Sequence, residues 1–416
     1  MPSLPRRNWP AIPIAAVFVG AVFLEWSHAH GPRQQTYAAA PQNPAAALSQ
    51  PPTVSGRNAL PAPTVRPAID GVLAAFQSHS LVGMGNWEGG DNHDLAQQED
   101  FYAALVRDPR FARNVGNVVV EFGDASAQGI IDRYVDGQAV PYTELRKVWT
   151  DTVGYTIPPF NLGYVNFFAQ VRATNLSLPP ARRIHVWLGD PPVDWSKVKK
   201  REDVVPSGDK WFQFRDNYAA DLIERQILSR GRKALLIFGG FHLLRDPVLL
   251  ETRPGYSSMA ELVERQQPGV IFSIYTYVGF FANKPCAIEF EKDKTNLPAP
   301  VLLAPVRGTT LDDPAFRQRC PPPAHAPPPN TSEEKAAEIA DHAARWFAGL
   351  NDDALLYFGP AASLTESPIL PDAYLDNDYL KEIMRHWPIR GDDGATPSNQ
   401  GMTVDKNPAS PRPFKP

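Results

Sequence analysis

Arg232-Lys233-Ala234-Leu235-Leu236-Ile237-Phe238-Gly239-Gly240-Phe241-His242 places two basic residues before a short, unbroken apolar run. Two glycines end the run and a histidine follows. An apolar run of this length between turn signals fits a strand buried on both faces, as in a parallel sheet. Glycines just past the strand allow a tight turn or a close approach of the backbone to a ligand. Ligands of open parallel sheets sit outside the carboxyl ends of the strands, which is where His242 would lie. A histidine in such a place is often structural, so the reading depends on whether other strands end in the same way.

Several do. Leu81-Val82-Gly83-Met84 reads as a first strand and leads into the glycine- and acid-rich loop that holds Glu88, Asp91 and His93. Asn117-Val118-Val119-Val120-Glu121-Phe122-Gly123 reads as a second, closed by a carboxylate and a glycine. Ile184–Leu188 reads as a third and runs into Gly189-Asp190-Pro191-Pro192, where the prolines forbid further pairing. Segments 270–275 and 354–358 read as two more. Helical patterns fall between them, near 68–78, 94–108, 125–135, 142–153, 162–178, 216–230, 259–267, 332–350 and 377–386. The stretch from Asp216 is clearly amphipathic: Ala219, Leu222, Ile223 and Ile227 share a face and Gly231 closes its end. Alternating strands and helices predict an α/β fold, a mainly parallel central sheet with helices on both faces and a site at the C-terminal strand ends.

Composition limits the other possibilities. Lys plus Arg number 41 against 45 Asp plus Glu, a net charge of −4, so no global basic signature points to nucleic acid. The only cysteines are Cys286 and Cys320, with no CxxC, which argues against a finger-type zinc site. The 44 prolines gather at the two ends and around 321–329. They divide the chain into residues 1–29, a linker at 30–67 rich in Pro and Ala, one α/β domain at 68–390 with a Pro-rich crossing near 321–331, and a disordered tail at 391–416. Arg6-Arg7, an apolar segment from Ala11 to Leu24 and Ser27-His28-Ala29 read as a secretory signal, with an uncleaved anchor as the alternative. The protein is therefore expected to be exported, periplasmic or anchored outside the cytoplasm, and to meet a membrane only through that segment. Export permits a Cys286–Cys320 disulfide; two free thiols are the other reading.

Two histidines and several carboxylates at strand ends suit two chemistries. One is a site for zinc, manganese or iron, with His93, Glu121 and His242 as ligands. The other is metal-free acid–base hydrolysis, in which a carboxylate orients a histidine that activates water. Against these stand plain structural roles: Glu121 capping a helix, Asp190 bracing its turn, His93 solvated in its loop. Trp187, Trp195, Tyr275 and Tyr277 could line an aromatic pocket, with core packing as the other role, and Lys197–Arg201 reads as a solvated loop.

The Gly-acidic-x-His turn after the first strand, the Val-Val-Val-Glu second strand and the Gly-x-x-His turn after a later strand resemble the superfamily of erythromycin esterases, Tiki-type proteases and ChaN-type haem-uptake proteins. Asp108-Pro109-Arg110-Phe111, Asp132-Arg133-Tyr134, Leu188–Trp195 and Leu356-Tyr357-Phe358-Gly359-Pro360 resemble an exported, largely uncharacterised bacterial branch of it. The resemblance covers roughly residues 70 to 390. Glu121 matches the second-strand glutamate and His242 the later histidine. Gly90-Asp91-Asn92-His93 matches the first motif with Asp for Glu; the rival alignment uses Gly85-Asn86-Trp87-Glu88. The resemblance implies a hydrolase of ester, lactone or peptide bonds, with a small-molecule or peptide substrate. His93, Glu121, His242 and Asp91 would be its catalytic residues; Glu88, Asp190, Arg133 and Tyr275 would bind or support. Two alternatives remain: an extracytoplasmic protein binding haem or a metal complex through histidine, and a catalytically degenerate envelope scaffold.

Overall fold

The computed structural model describes residues 60–85, 95–153, 161–205, 211–252, 255–279, 284–315, 331–347, 349–365 and 367–390. The apolar run that opens the sequence reading forms a strand, Ala234–Ile237, all four residues of which are fully buried. In chain order the strands are β1 (Thr64–Pro67), β2 (Leu81–Gly85), β3 (Asn117–Asp124), β4 (His185–Asp190), β5 (Ala234–Ile237), β6 (Ile271–Thr276), β7 (Val301–Ala304) and β8 (Ala354–Tyr357). They form one sheet in the order β1-β7-β8-β6-β2-β5-β3-β4. All pairings from β8 to β4 are parallel, and β7 runs antiparallel to both of its neighbours. The protein is thus α/β with a mixed, mostly parallel sheet.

The alternation of side chains along β5 explains its central place. Leu235 and Ile237 enter the larger core, which holds Phe101, Leu105, Ile131, Phe167 and Phe168. Ala234, Leu236 and the following Phe238 enter a second core on the opposite face, with Ala219, Ile223, Met259 and Val263. A strand apolar at every position can be covered on both sides, and burial of each large side chain contributes about 1.5–3 kcal/mol. The helices Ala96–Arg107, Gln128–Val135 and Leu162–Leu176 cover the first face. Trp211–Gln226 and Met259–Gln266 cover the second.

This distribution follows from the order of the strands. The chain steps from β2 past the future place of β5 to β3, then outward to β4. It returns through Trp211–Gln226 to insert β5, and continues through Met259–Gln266 to β6 on the far side of β2. The connections leaving β5 and β3 therefore diverge. A divergence of this kind opens a crevice at the carboxyl end of a parallel sheet.

Two strands depart from the sequence reading. β1 occupies the last four residues of the stretch read as linker, and β7 lies in a segment to which the sequence pattern assigns no element. Both are four residues long and flanked or ended by proline, which gives too little pattern to distinguish them from turns. Their pairing with each other, and that of β7 with β8, is what makes them strands. The amphipathic helix begins at Trp211, five residues before the expected Asp216. Gly231, at φ 61°, closes the turn after it as anticipated. The helix expected from residue 94 starts at Ala96, and Asp94 lies outside the described residues. So do the signal-like segment, the crossing at 321–330 and the tail from 391. Among the described residues no helix is long and apolar enough to cross a membrane. Cys286 is buried and disulfide-bonded; Cys320, the other cysteine of the chain, is outside the described residues.

Candidate functional site

β3 carries Val119 toward the second core, so two residues later Glu121 points to the same side, into the base of the helix Trp211–Gln226. That helix places two consecutive charged residues, Arg215 and Asp216, beneath its apolar stripe, at 3% and 0% exposure. The strand ends and this helix build a closed network. Arg215 Nη2–H donates to Glu121 Oε1 at 2.7 Å and Nε–H donates to Asp190 Oδ1 at 2.6 Å. His242, in the single turn Gly240–Leu243 after β5, has Nδ1 2.7 Å from Asp216 Oδ1 and Nε2 3.1 Å from Glu121 Oε1. The Gly239 N–H donates to Glu121 Oε2 at 2.6 Å, and the Met259 N–H donates to Asp216 Oδ1 at 2.7 Å. Asp190 Oδ2 accepts from the Val153 N–H.

Glu121, Asp190 and Asp216 outnumber Arg215, so a neutral His242 would leave this cluster with an excess of two negative charges. Burial alone would push the imidazole down. The Asp216 and Glu121 carboxylates outweigh it and hold His242 protonated, with a pKa pushed up to about 10. Both ring nitrogens then donate, one to each acid. Burial opposes the charge on Arg215, but Asp190 and Glu121 hold the guanidinium charged. Burial likewise pushes the Asp190 carboxyl up, with Arg215 working against it. Asp124, paired in register with Asp190, is also fully buried. Its Oδ1 accepts from the Ser126 N–H at 2.6 Å, and Oδ2 has no hydrogen-bond partner among the described residues. Burial pushes this carboxyl up to about 8, and Asp190 adds to the effect.

The structure thus brings together three of the residues singled out in the sequence: Glu121, Asp190 and His242. Glu88, Asp91 and His93 lie outside the described residues. Their loop leaves β2 at Gly85, where a side chain would begin 3.2 Å from Gly240 Cα and 3.3 Å from the Phe238 carbonyl oxygen. The chain carrying His93 therefore starts against the His242 turn. Arg133 is not part of the network; it pairs with Glu144 on the surface. Tyr275 is a core residue of β6, packed with Tyr277, Leu303 and Leu350. Trp187 donates to Asn117 Oδ1 at 3.2 Å, and Trp195 stacks on His386 at 4.0 Å, so these two do not share a pocket.

Arg215 and Asp216 are what the sequence reading missed. The signal was present: both fall at helical spacing from Ala219, Ala220 and Ile223, so a charged pair sits within an apolar stripe. Their presence bears on the metal reading. A guanidinium stands between Glu121 and Asp190, with Nη1 3.4 Å from His242 Nε2, and already supplies the positive charge that a metal would bring. Among the described residues no group of three or more His, Cys, Asp and Glu is arranged to hold a metal ion. The donor set described does not fit a metal bound through Glu121 and His242, and His242, engaged at both nitrogens, has none left for a haem iron.

No protein-family model matches the chain, and no curated protein matches it. Among solved structures, that of the type III effector HopBA1 aligns at 11% identity over 53% of this chain and 89% of that one, with a TM-score of 0.30, a likeness too slight to carry an argument.

Proposed function

We propose that the protein is an exported, metal-independent hydrolase of the erythromycin esterase, Tiki and ChaN-like type, acting on an ester, lactone or peptide bond. The observation that carries this reading is the Glu121–Arg215–His242–Asp216 network at the diverging ends of β3 and β5. Held charged by two carboxylates, His242 is a fixed cation rather than a base for the water. In this reading His242 and Arg215 form the electropositive side, which stabilises charge developing on the carbonyl oxygen, and the proton that His93 takes from the water passes to the leaving group. Glu121, Asp190 and Asp216 fix these two cations, and His93 activates the water. The bonded state of Cys286 and the signal-like N-terminus support an oxidising, extracytoplasmic location.

The test is a panel of chromogenic esters, lactones and peptides offered to the full chain and to His93→Ala, His242→Gln and the double variant. Loss of about 10²–10⁴-fold in rate for each single variant is expected. An activity that survives in the double variant would overturn the assignment. One observation favours a second reading, the catalytically silent scaffold: Glu121, Asp190, Arg215, Asp216 and His242 are each at most 3% exposed. A chain inert to the whole panel, whose His242→Gln variant supports normal growth in cells, would favour the scaffold.

A further inference from the structure

On the opposite face of the end of β3, Phe122 lines a small cavity with Leu95, Gln98, Glu99, Tyr102, Gly163, Tyr164 and Phe167. It lies between the starts of the helices Ala96–Arg107 and Leu162–Leu176. Thr365, Ser367 and Pro368 tie the two starts together. The Ala96 N–H donates to the Thr365 carbonyl oxygen at 3.0 Å and the Leu162 N–H to that of Pro368 at 3.1 Å. Ser367 Oγ donates to Glu99 Oε2 and stands 3.0 Å from Asn161 Oδ1.

Glu99 is the polar centre of this cavity. Its Oε2 is held by Ser367, and its buried Oε1 has no hydrogen-bond partner among the described residues. The carboxyl lies flat on Gly163: a Cβ there would be 1.8 Å from Glu99 Cδ, so the glycine is what leaves room for the acid. The titratable groups facing Glu99 are Asp100 and Tyr102 from its own helix and Tyr164 from the neighbouring helix; the strap contributes the neutral Ser367. None is a cation, and no described Lys, Arg or His pairs with Glu99.

A carboxyl whose buried oxygen has neither a hydrogen-bond partner nor a counter-charge among the described residues, set between largely apolar aromatic walls, complements a small cation, because low dielectric strengthens such a pair. The cavity has room for about one water molecule, the size of an –NH₃⁺ tip. We propose that this cavity binds a primary alkylammonium group, with Glu99 as its acceptor and the aromatic walls setting the size limit. The site does not depend on the hydrolase reading, since it shares no side chain with the His242 network. Burial pushes Glu99 up to about 8, against the pull of Ser367 and Asn161, so a cation arriving at pH 7 must displace the proton.

Titration calorimetry of the full chain with methylammonium, in buffers of different ionisation enthalpy, tests this. The expected result is saturable binding, release of about one proton per site at pH 7, and an affinity that rises about tenfold from pH 6 to pH 7. Glu99→Gln matches the neutral acid in shape and should keep the fold while losing methylammonium binding by tenfold or more (about 1.4 kcal/mol). Tetramethylammonium should not compete. Absence of saturable binding by the wild type, binding unchanged in Glu99→Gln, or equal binding of tetramethylammonium would each overturn the proposal.

Discussion

Glu121 is buried and Glu99 half-buried with a buried Oε1, one on each side of the sheet near the C-terminal end of β3, and they are provided for differently. Glu121 is met by two cations and a backbone N–H, so both of its oxygens are occupied. Glu99 is met by neutral groups, the Ser367 hydroxyl and the Asn161 amide, and its Oε1 has no hydrogen-bond partner among the described residues. Burial costs the charged form of either side chain several kcal/mol. Where cations are built in, the structure carries a charged network. Where they are not, it carries a neutral acid that ionises only at about pH 8. The difference lies in what the facing helix supplies: Arg215 and Asp216 on one side, aromatic residues on the other.

The comparison can be broken most forcefully at Arg215. Arg215→Met should leave Glu121 and Asp190 buried without their shared cation and cost about 3–5 kcal/mol in urea unfolding. Arg215→Lys should restore only part of this, because an ammonium cannot reproduce the forked contacts. A loss below about 1 kcal/mol in the Met variant would mean that the network is not closed as described.

Next in size is His242→Gln, expected to cost about 1.5–3 kcal/mol at pH 6 through its two charge-assisted contacts. The folded pKa of about 10 lies above the ordinary 6.5, so the folded state holds a proton that the unfolded state releases. That stabilisation is complete below pH 6.5 and is lost as the pH rises toward 10. The gap between wild type and His242→Gln should narrow across that window. A constant gap would show that His242 is not held charged.

Gly163→Ala should cost about 1–3 kcal/mol, since the new methyl must displace the Glu99 carboxyl. The combination Gly163→Ala/Glu99→Ala should recover most of it, which a double-mutant cycle would read. The smallest effect is Glu99→Gln, near zero at pH 4.5. Here the folded pKa is raised from 4.5 to about 8, so wild-type stability falls as the pH rises through that interval. The glutamine variant lacks this slope and should be the more stable by about 1 kcal/mol or more at pH 9. Parallel stability curves for the two proteins would remove Glu99 as the buried acid.

The legibility of the two sides in the sequence differs as well. Glu121 and His242 stand out because each lies two residues from a glycine at the close of an apolar strand run, a pattern that needs no partner to be noticed. Glu99 lies in the first turn of a helix, where an acid is ordinary, and only its packing against Gly163 and Ser367 sets it apart. Arg133 and Tyr275 lie apart from the network: one side chain pairs on the surface and the other packs in a core.

From its sequence alone the chain determined six parallel strands, the helices between them, and the ends of β3, β4 and β5 as places for Glu121, Asp190 and His242, because side-chain periodicity is a local property. Tertiary structure decided the rest. It turned β1 and β7 into strands through pairing, inserted β5 between β2 and β3, and buried Arg215 against two acids. It also left one oxygen of Glu99 facing a cavity. These outcomes depend on which elements meet across space, and on how many charges each brings, which local periodicity does not encode.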